Sequence, residues 1–163
     1  KEWLDQEHQY FTPVVTDFSR TTQLIVRYRL NDVLRIASTP CPCGRAETTI
    51  ASIEGRADEI LWLPSIADSA LMPVYPDLIR RSMMLVVPQL MEYQIIQQQH
   101  CWQIDFLLEN DSQRTNAIED ITAQLTNLCG LLNLQLPLLQ FGLWQSPKAG
   151  AKRRRLICQE RPV

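Results

Sequence analysis

Met91-Glu92-Tyr93-Gln94-Ile95-Ile96-Gln97 and Trp102-Gln103-Ile104-Asp105-Phe106-Leu107-Leu108-Glu109 are the stretches that decide the architecture. In the second, Trp102, Ile104, Phe106 and Leu108 alternate with Gln103, Asp105 and Glu109. A period of two puts the apolar set on one face of a strand, and two such strands close together pair antiparallel with that face inward. Tyr93, Trp102 and Phe106 are therefore assigned to the core. Upstream, Pro76 suits the first turn of a helix over about 77–87, with Leu78, Ile79, Met83, Val86 and Val87 on one face. Downstream, Ile118, Ile121, Leu125, Leu128, Cys129 and Leu132 recur at helical spacing over 116–132. A last apolar run, 136–144, reads as a strand by its length and flanks.

The order helix, strand, strand, helix, strand predicts an α+β lobe, a small antiparallel sheet with two helices on one face, ferredoxin-like in outline. The chain before it reads differently. Leu24-Ile25-Val26-Arg27-Tyr28-Arg29-Leu30 is a strand ended by the turn pair Asn31-Asp32, and 48–53 is another. Between them lies a loop of turn formers, Ser38-Thr39-Pro40-Cys41-Pro42-Cys43-Gly44. Gly55 is the position where backbone closed to other residues is expected. Beyond Asp58 the pattern changes, so a β-rich segment is predicted before that boundary and the α+β lobe after it.

Composition bounds the function. The 163 residues carry a net charge of −2, with 45% hydrophobic and 21% charged residues, which fits an ordinary globular protein and excludes wholesale disorder. No apolar run approaches the ~20 residues that span a bilayer, and no secretory signal opens the chain, so a cytoplasmic protein with no membrane partner is expected. Its start at Lys1 fits a processed product or a piece of a longer protein. Five cysteines at irregular spacing read as reduced thiols, Cys129 among them as a small core residue.

Three segments carry candidate chemistry. Cys41 and Cys43 could give two thiolates to zinc, but structural sites need four ligands and usually space local cysteines by two to four residues. The chain's two histidines leave few further ligands, so a zinc site is a minority reading beside a plain reduced turn. The run Lys148-Ala149-Gly150-Ala151-Lys152-Arg153-Arg154-Arg155 reads as a solvated tail or as a polyanion contact. Asp32, at a strand end, is either half of a turn or a carboxylate placed to accept hydrogen bonds.

Arg27-Tyr28-Arg29-Leu30-Asn31-Asp32, then Cys41-Pro42-Cys43-Gly44-Arg45, then Gly55-Arg56-Ala57-Asp58-Glu59 follow in that order at short intervals. In this the chain resembles the adenylate-forming ligases, specifically the phenylacetate–CoA ligase branch and its relatives that adenylylate a deazaflavin coenzyme. The resemblance runs through the C-terminal portion of a much longer enzyme. It implies that 1–55 is the β-rich end of the large adenylation domain, 56–60 a hinge and 61–163 a mobile lobe. It implies that Asp32 binds the ribose of the nucleotide, that Arg56 lies near that nucleotide, and that Asp58 is the hinge about which the small lobe turns. It implies too that Lys152, after Gly150, is the catalytic lysine, with Lys148 as runner-up. The whole enzyme would join ATP, with Mg²⁺, to a small carboxylate and pass the acyl group to a thiol such as CoA or to another acceptor. Two departures stand out. Leu30-Asn31 replaces Thr-Gly, and Trp62-Leu63-Pro64-Ser65-Ile66-Ala67-Asp68-Ser69-Ala70 replaces the glycine-containing loop that helps line the thiol tunnel.

The family's phosphate-holding Ser/Thr/Gly-rich loop has no counterpart among five scattered glycines. The fragment alone is thus expected to be inactive, its partner being the missing N-terminal adenylation domain. Residues 1–55, short of packing partners, are expected to self-associate through Ile25, Val26 and Leu34. Two alternatives come from other classes: a nucleic-acid or polyanion module using Lys148–Arg155, and a zinc-stabilised interaction domain built on Cys41 and Cys43. The sheet lacks the aromatic pair that RNA-binding sheets stack on, which argues against nucleic acid.

Overall fold

The computed structural model describes residues 1–19, 21–147, 150 and 153–159. Lys148 and Lys152 lie outside the described residues. Among those described, the strands are β1 (Glu2–Trp3), β2 (Tyr10–Thr12), β3 (Val14–Asp17), β4 (Ile25–Arg29), β5 (Asp32–Ile36), β6 (Ile50–Arg56), β7 (Leu61–Pro64), β8 (Leu71–Val74), β9 (Glu92–Gln98), β10 (Cys101–Leu107), β11 (Leu138–Leu143) and β12 (Leu156–Cys158). The helices are α1 (Pro76–Met84) and α2 (Arg114–Leu132). The chain divides into two compact units, Lys1–Asp58 and Glu59–Val163.

The first unit is all β. Its main sheet runs β1-β2-β5-β6, and β3 and β4 form a separate two-stranded ribbon. Phe11 and Val33 are buried, whereas Phe18, Leu24, Val26 and Tyr28 stand exposed on and around the ribbon. Of the three residues expected to be uncovered, Val26 is exposed and Ile25 and Leu34 are half-buried. A β-bulge interrupts β5–β6: Val33 pairs with Gly55 and Leu34 with Ile53, so Glu54 is the extra residue. Gly55 takes φ +110°, a backbone that L side chains rarely adopt.

The second unit is a mixed sheet, β11-β10-β9-β12, covered on one face by the two helices. Register places Trp102 opposite Gln97, Ile104 opposite Ile95 and Phe106 opposite Tyr93, so one row of side chains faces the core. All six are buried, and Ile79, Met83, Ile121, Leu125, Leu128 and Cys129 close over them from α1 and α2. Pro76 opens α1, Tyr75 before it is extended, and Asp77 sits in the first turn where the helix dipole favours an acid. Asn133 ends α2 in the left-handed conformation, and the Leu134 N–H donates to the Cys129 carbonyl at 2.9 Å. Val87, expected on the buried face of α1, is instead 73% exposed, because the helix stops at Met84.

The α+β class and the two helices on one face are those expected; the sheet differs in direction. Only β9–β10 is antiparallel, while β10–β11 and β9–β12 are parallel. The reason is the α2 crossover. A chain that leaves β10, runs the length of a helix and returns to the neighbouring position re-enters in the same sense. Trp62 to Ala70, expected as a loop, begins as β7, which pairs antiparallel with β8.

Candidate functional site

Asp32 begins β5 and Arg56 ends β6, and the two are register partners. Asn31 precedes Asp32, and its carbonyl accepts from the Ala57 N–H at 2.8 Å. That bond holds the exit of β6 against the entry of β5. Asp58 then turns back toward the same corner. Its Oδ1 accepts from Asn31 Nδ2 at 2.5 Å and lies 3.2 Å from Arg56 Nε. The Asp58 side chain is 15% exposed and that of Arg56 34%, so this ion pair is screened less than one fully in water.

The corner thus brings together three of the sequence-predicted residues, Asp32, Arg56 and Asp58, plus Asn31, which the sequence marked only as part of a turn. Their roles differ by exposure. Asp32 is exposed at a strand end, where a carboxylate can accept two hydroxyl donors at once. Asp58 is committed to Asn31 and Arg56, so its carboxylate fixes the conformation of the segment leaving the first unit. The bulge at Glu54-Gly55 lies directly before Arg56 and adds the local twist that ends the ladder there.

The Cys41–Cys43 loop occupies another part of the first unit. The Cys41 and Cys43 sulfurs are 2.8 Å apart and both are free thiols. Cys43 is exposed and Cys41 half-buried. The hydrogen bond from Cys41 and the Arg45 backbone N–H hold the Cys43 thiol below its ordinary range. Two thiolates on one tetrahedral zinc, at Zn–S ≈ 2.3 Å, would stand roughly 3.8 Å apart. The observed separation is a whole ångström shorter, and among the described residues no three His, Cys, Asp or Glu side chains converge.

The basic run is partly absorbed by the second unit. Arg153 pairs with Glu92 and lies over the Trp144 ring at 5.9 Å. Arg155 lies over Tyr93 at 5.1 Å, and its carbonyl accepts from the Ile95 N–H at 2.7 Å as β12 starts beside β9. Charge patterning alone could not show that this segment ends in a parallel edge strand. The signal was present in Leu156-Ile157-Cys158, an apolar triplet directly after the arginines. Lys152, the predicted catalytic residue, lies outside the described residues; Gly150 before it has φ +82°, open to glycine alone at low cost.

No family model matches the chain, and no curated protein sequence does. Solved structures do match. An α+β fold of this kind recurs in 2-hydroxyisobutyryl-CoA ligase, crystallised in an open conformation with 2-HIB-AMP and CoA, over 96% of the present chain at TM-score 0.56 and 20% identity. The same enzyme in the postadenylation state with 2-HIB-AMP matches over 97% at TM-score 0.58 and 20% identity. With R3-HIB-AMP it matches over 97% at 0.57 and 20%. In each comparison the present chain spans 35% of the ligase chain. The likeness is one of fold, shared with about a third of that ligase's chain.

Proposed function

We propose that this chain is the C-terminal portion of an adenylate-forming ligase, of the phenylacetate–CoA ligase type, in which residues 1–55 complete the adenylation domain and the lobe after Asp58 swings about it. The observation that carries the reading is the corner of Asp32, Arg56 and Asp58: residues from two sequence segments, in the order the family uses, meet at one strand end within a fold shared with a CoA ligase. The exposed Asp32 carboxylate accepts both ribose hydroxyls of the nucleotide. Arg56 offers its remaining guanidinium N–H groups to the nucleotide while Asp58 fixes its orientation. Lys152 places an ammonium between the α-phosphate and the incoming carboxylate, offsetting two negative charges in the transition state. ATP enters with Mg²⁺, and CoA or another acceptor takes the acyl group.

The test uses the whole protein, including whatever precedes Lys1. Carboxylate-dependent ATP–pyrophosphate exchange should be present, and Asp32→Ala should reduce kcat/KM for ATP by about 10²-fold, the loss of two hydrogen bonds to a charged acceptor. Exchange at the wild-type level in Asp32→Ala refutes the assignment. Lys152→Ala should slow adenylate formation by about 10²-fold or more while sparing transfer from a preformed adenylate.

A further inference from the structure

The loop Pro40-Cys41-Pro42-Cys43-Gly44-Arg45 has features that the ligase reading does not use. The turn is closed by the Gly44 N–H donating to the Cys41 carbonyl at 3.1 Å, with Gly44 at φ +78°. This conformation carries both sulfurs to the same side and holds them 2.8 Å apart. A covalent S–S bond is about 2.04 Å long, so closure needs less than an ångström of approach. Two of the remaining cysteines contrast with the pair in burial. Cys129 and Cys158 are buried, Cys101 is half-buried, and burial pushes the Cys129 thiol up to about 11.

We infer that Cys41 and Cys43 form a reversible redox site, a vicinal dithiol that a hydroperoxide oxidises to an intraloop disulfide. The exposed Cys43 thiolate attacks the nearer peroxide oxygen, the O–O bond breaks, and the departing oxygen takes a proton and leaves as water. Cys43 is then a sulfenic acid. The Cys41 thiolate attacks that sulfur, the S–O bond breaks, and hydroxide takes the proton released by Cys41 to leave as a second water. Two thiols lose two electrons and two protons, and hydrogen peroxide becomes two waters. Cys43 acts first because it is the more exposed and receives the Arg45 N–H.

The ring closed by this disulfide contains one intervening residue, Pro42. Closing so small a loop removes little entropy from the unfolded chain, so the bond contributes little to stability. An exposed disulfide in a tight ring belongs with the labile, easily reduced class rather than the structural one. Oxidation should pin Pro40 and Arg45, which line a cavity of about 470 Å³ with Thr39 and Glu47. The chemistry is therefore that of a reporter or switch and not of a staple.

The experiment treats the reduced 163-residue chain with a small excess of hydrogen peroxide, alkylates free thiols after unfolding, and maps peptides by mass spectrometry. The expected product is a chain lighter by two hydrogen atoms, with Cys41 and Cys43 protected and recovered by dithiothreitol. Cys101, Cys129 and Cys158 should stay alkylatable. Cys41→Ser should accumulate a dimedone-trappable sulfenic acid on Cys43. Cys43→Ser should consume peroxide at least about tenfold more slowly, since the most reactive thiolate is gone. Full alkylation of Cys43 after peroxide would overturn the proposal. So would sulfinic acid on Cys43 with Cys41 untouched, a disulfide joining two chains, or a pairing that uses Cys101.

Discussion

Gln97 is the informative place to perturb the second unit. It is 5% exposed, on the core-facing row of β9, where an unpaired amide would be costly. Its Oε1 accepts from the Trp62 N–H at 2.8 Å, and its Nε2 donates to the Trp62 carbonyl at 2.5 Å and to the Gln99 carbonyl at 3.1 Å. The demand comes from the β7–β8 hairpin. Trp62 is paired with Pro73, and the Ser65 N–H bonds the Ala70 carbonyl at the hairpin's end. Counting back by twos makes Trp62–Pro73 a non-hydrogen-bonded pair, so Pro73 loses no ladder bond and Trp62 points its N–H and carbonyl away from β8. The Gln97 amide satisfies both, standing in for a backbone strand. Gln97→Met keeps the volume and strands two Trp62 groups. At about 1–3 kcal/mol for each buried group left unsatisfied, partly relieved by water at this half-buried residue, the expected loss is about 2–4 kcal/mol. Urea unfolding followed by circular dichroism should show it as a lower midpoint with an unchanged slope. Gln98→Met, the same change one residue along on the exposed face, should stay within about 0.5 kcal/mol. Equal effects from the two substitutions would refute the hydrogen-bond argument.

Gly55→Ala should destabilise the first unit by about 1 kcal/mol or more, because φ +110° is closed to alanine, while Gly130→Ala, with open space at its Cβ inside α2, should be neutral or stabilising; paired thermal melts decide. Burial raises the Cys129 thiol from about 9 to about 11, so the folded chain holds that proton more tightly than the unfolded one. Its contribution is full below pH 9 and is lost as pH rises toward 11, and Cys129→Ala should flatten that part of a pH–stability curve. Asp58→Ala removes the acceptor for Asn31 and Arg56, and amide exchange at Ala57 should rise by about tenfold if that corner holds the Asn31–Ala57 backbone bond in place.

What could be read from the sequence follows from which signals are local. Alternation in 102–108 and helical spacing in 116–132 are properties of short windows, and both elements stand where those windows put them. Strand direction is not a window property. The sheet is mixed because α2 is long enough to carry the chain back across it, and β12 joins β9 across some sixty residues of intervening chain. Short strands such as β1, β2 and β7 owe their existence to partners far away, so their two to four residues carry too little pattern to be seen alone.

The site divides along the same line. Gly55-Arg56-Ala57-Asp58 is a contiguous motif and could be picked out from residue types, and so could Asp32 at a strand end. That Asp32 and Arg56 are register partners could not, because register depends on the bulge at Glu54: without that extra residue, the pairing beyond it would shift by one and every side chain would change face. Asn31 was hidden for the same reason. It reads as half of a turn until β6 is placed beside β5, and only then does its amide reach Asp58 while its carbonyl reaches Ala57. A glycine at position 31 could not make the first of these bonds. In this chain the segment that leaves the first unit is therefore held by a side-chain clamp, in which Asp58 accepts from Asn31 and pairs with Arg56.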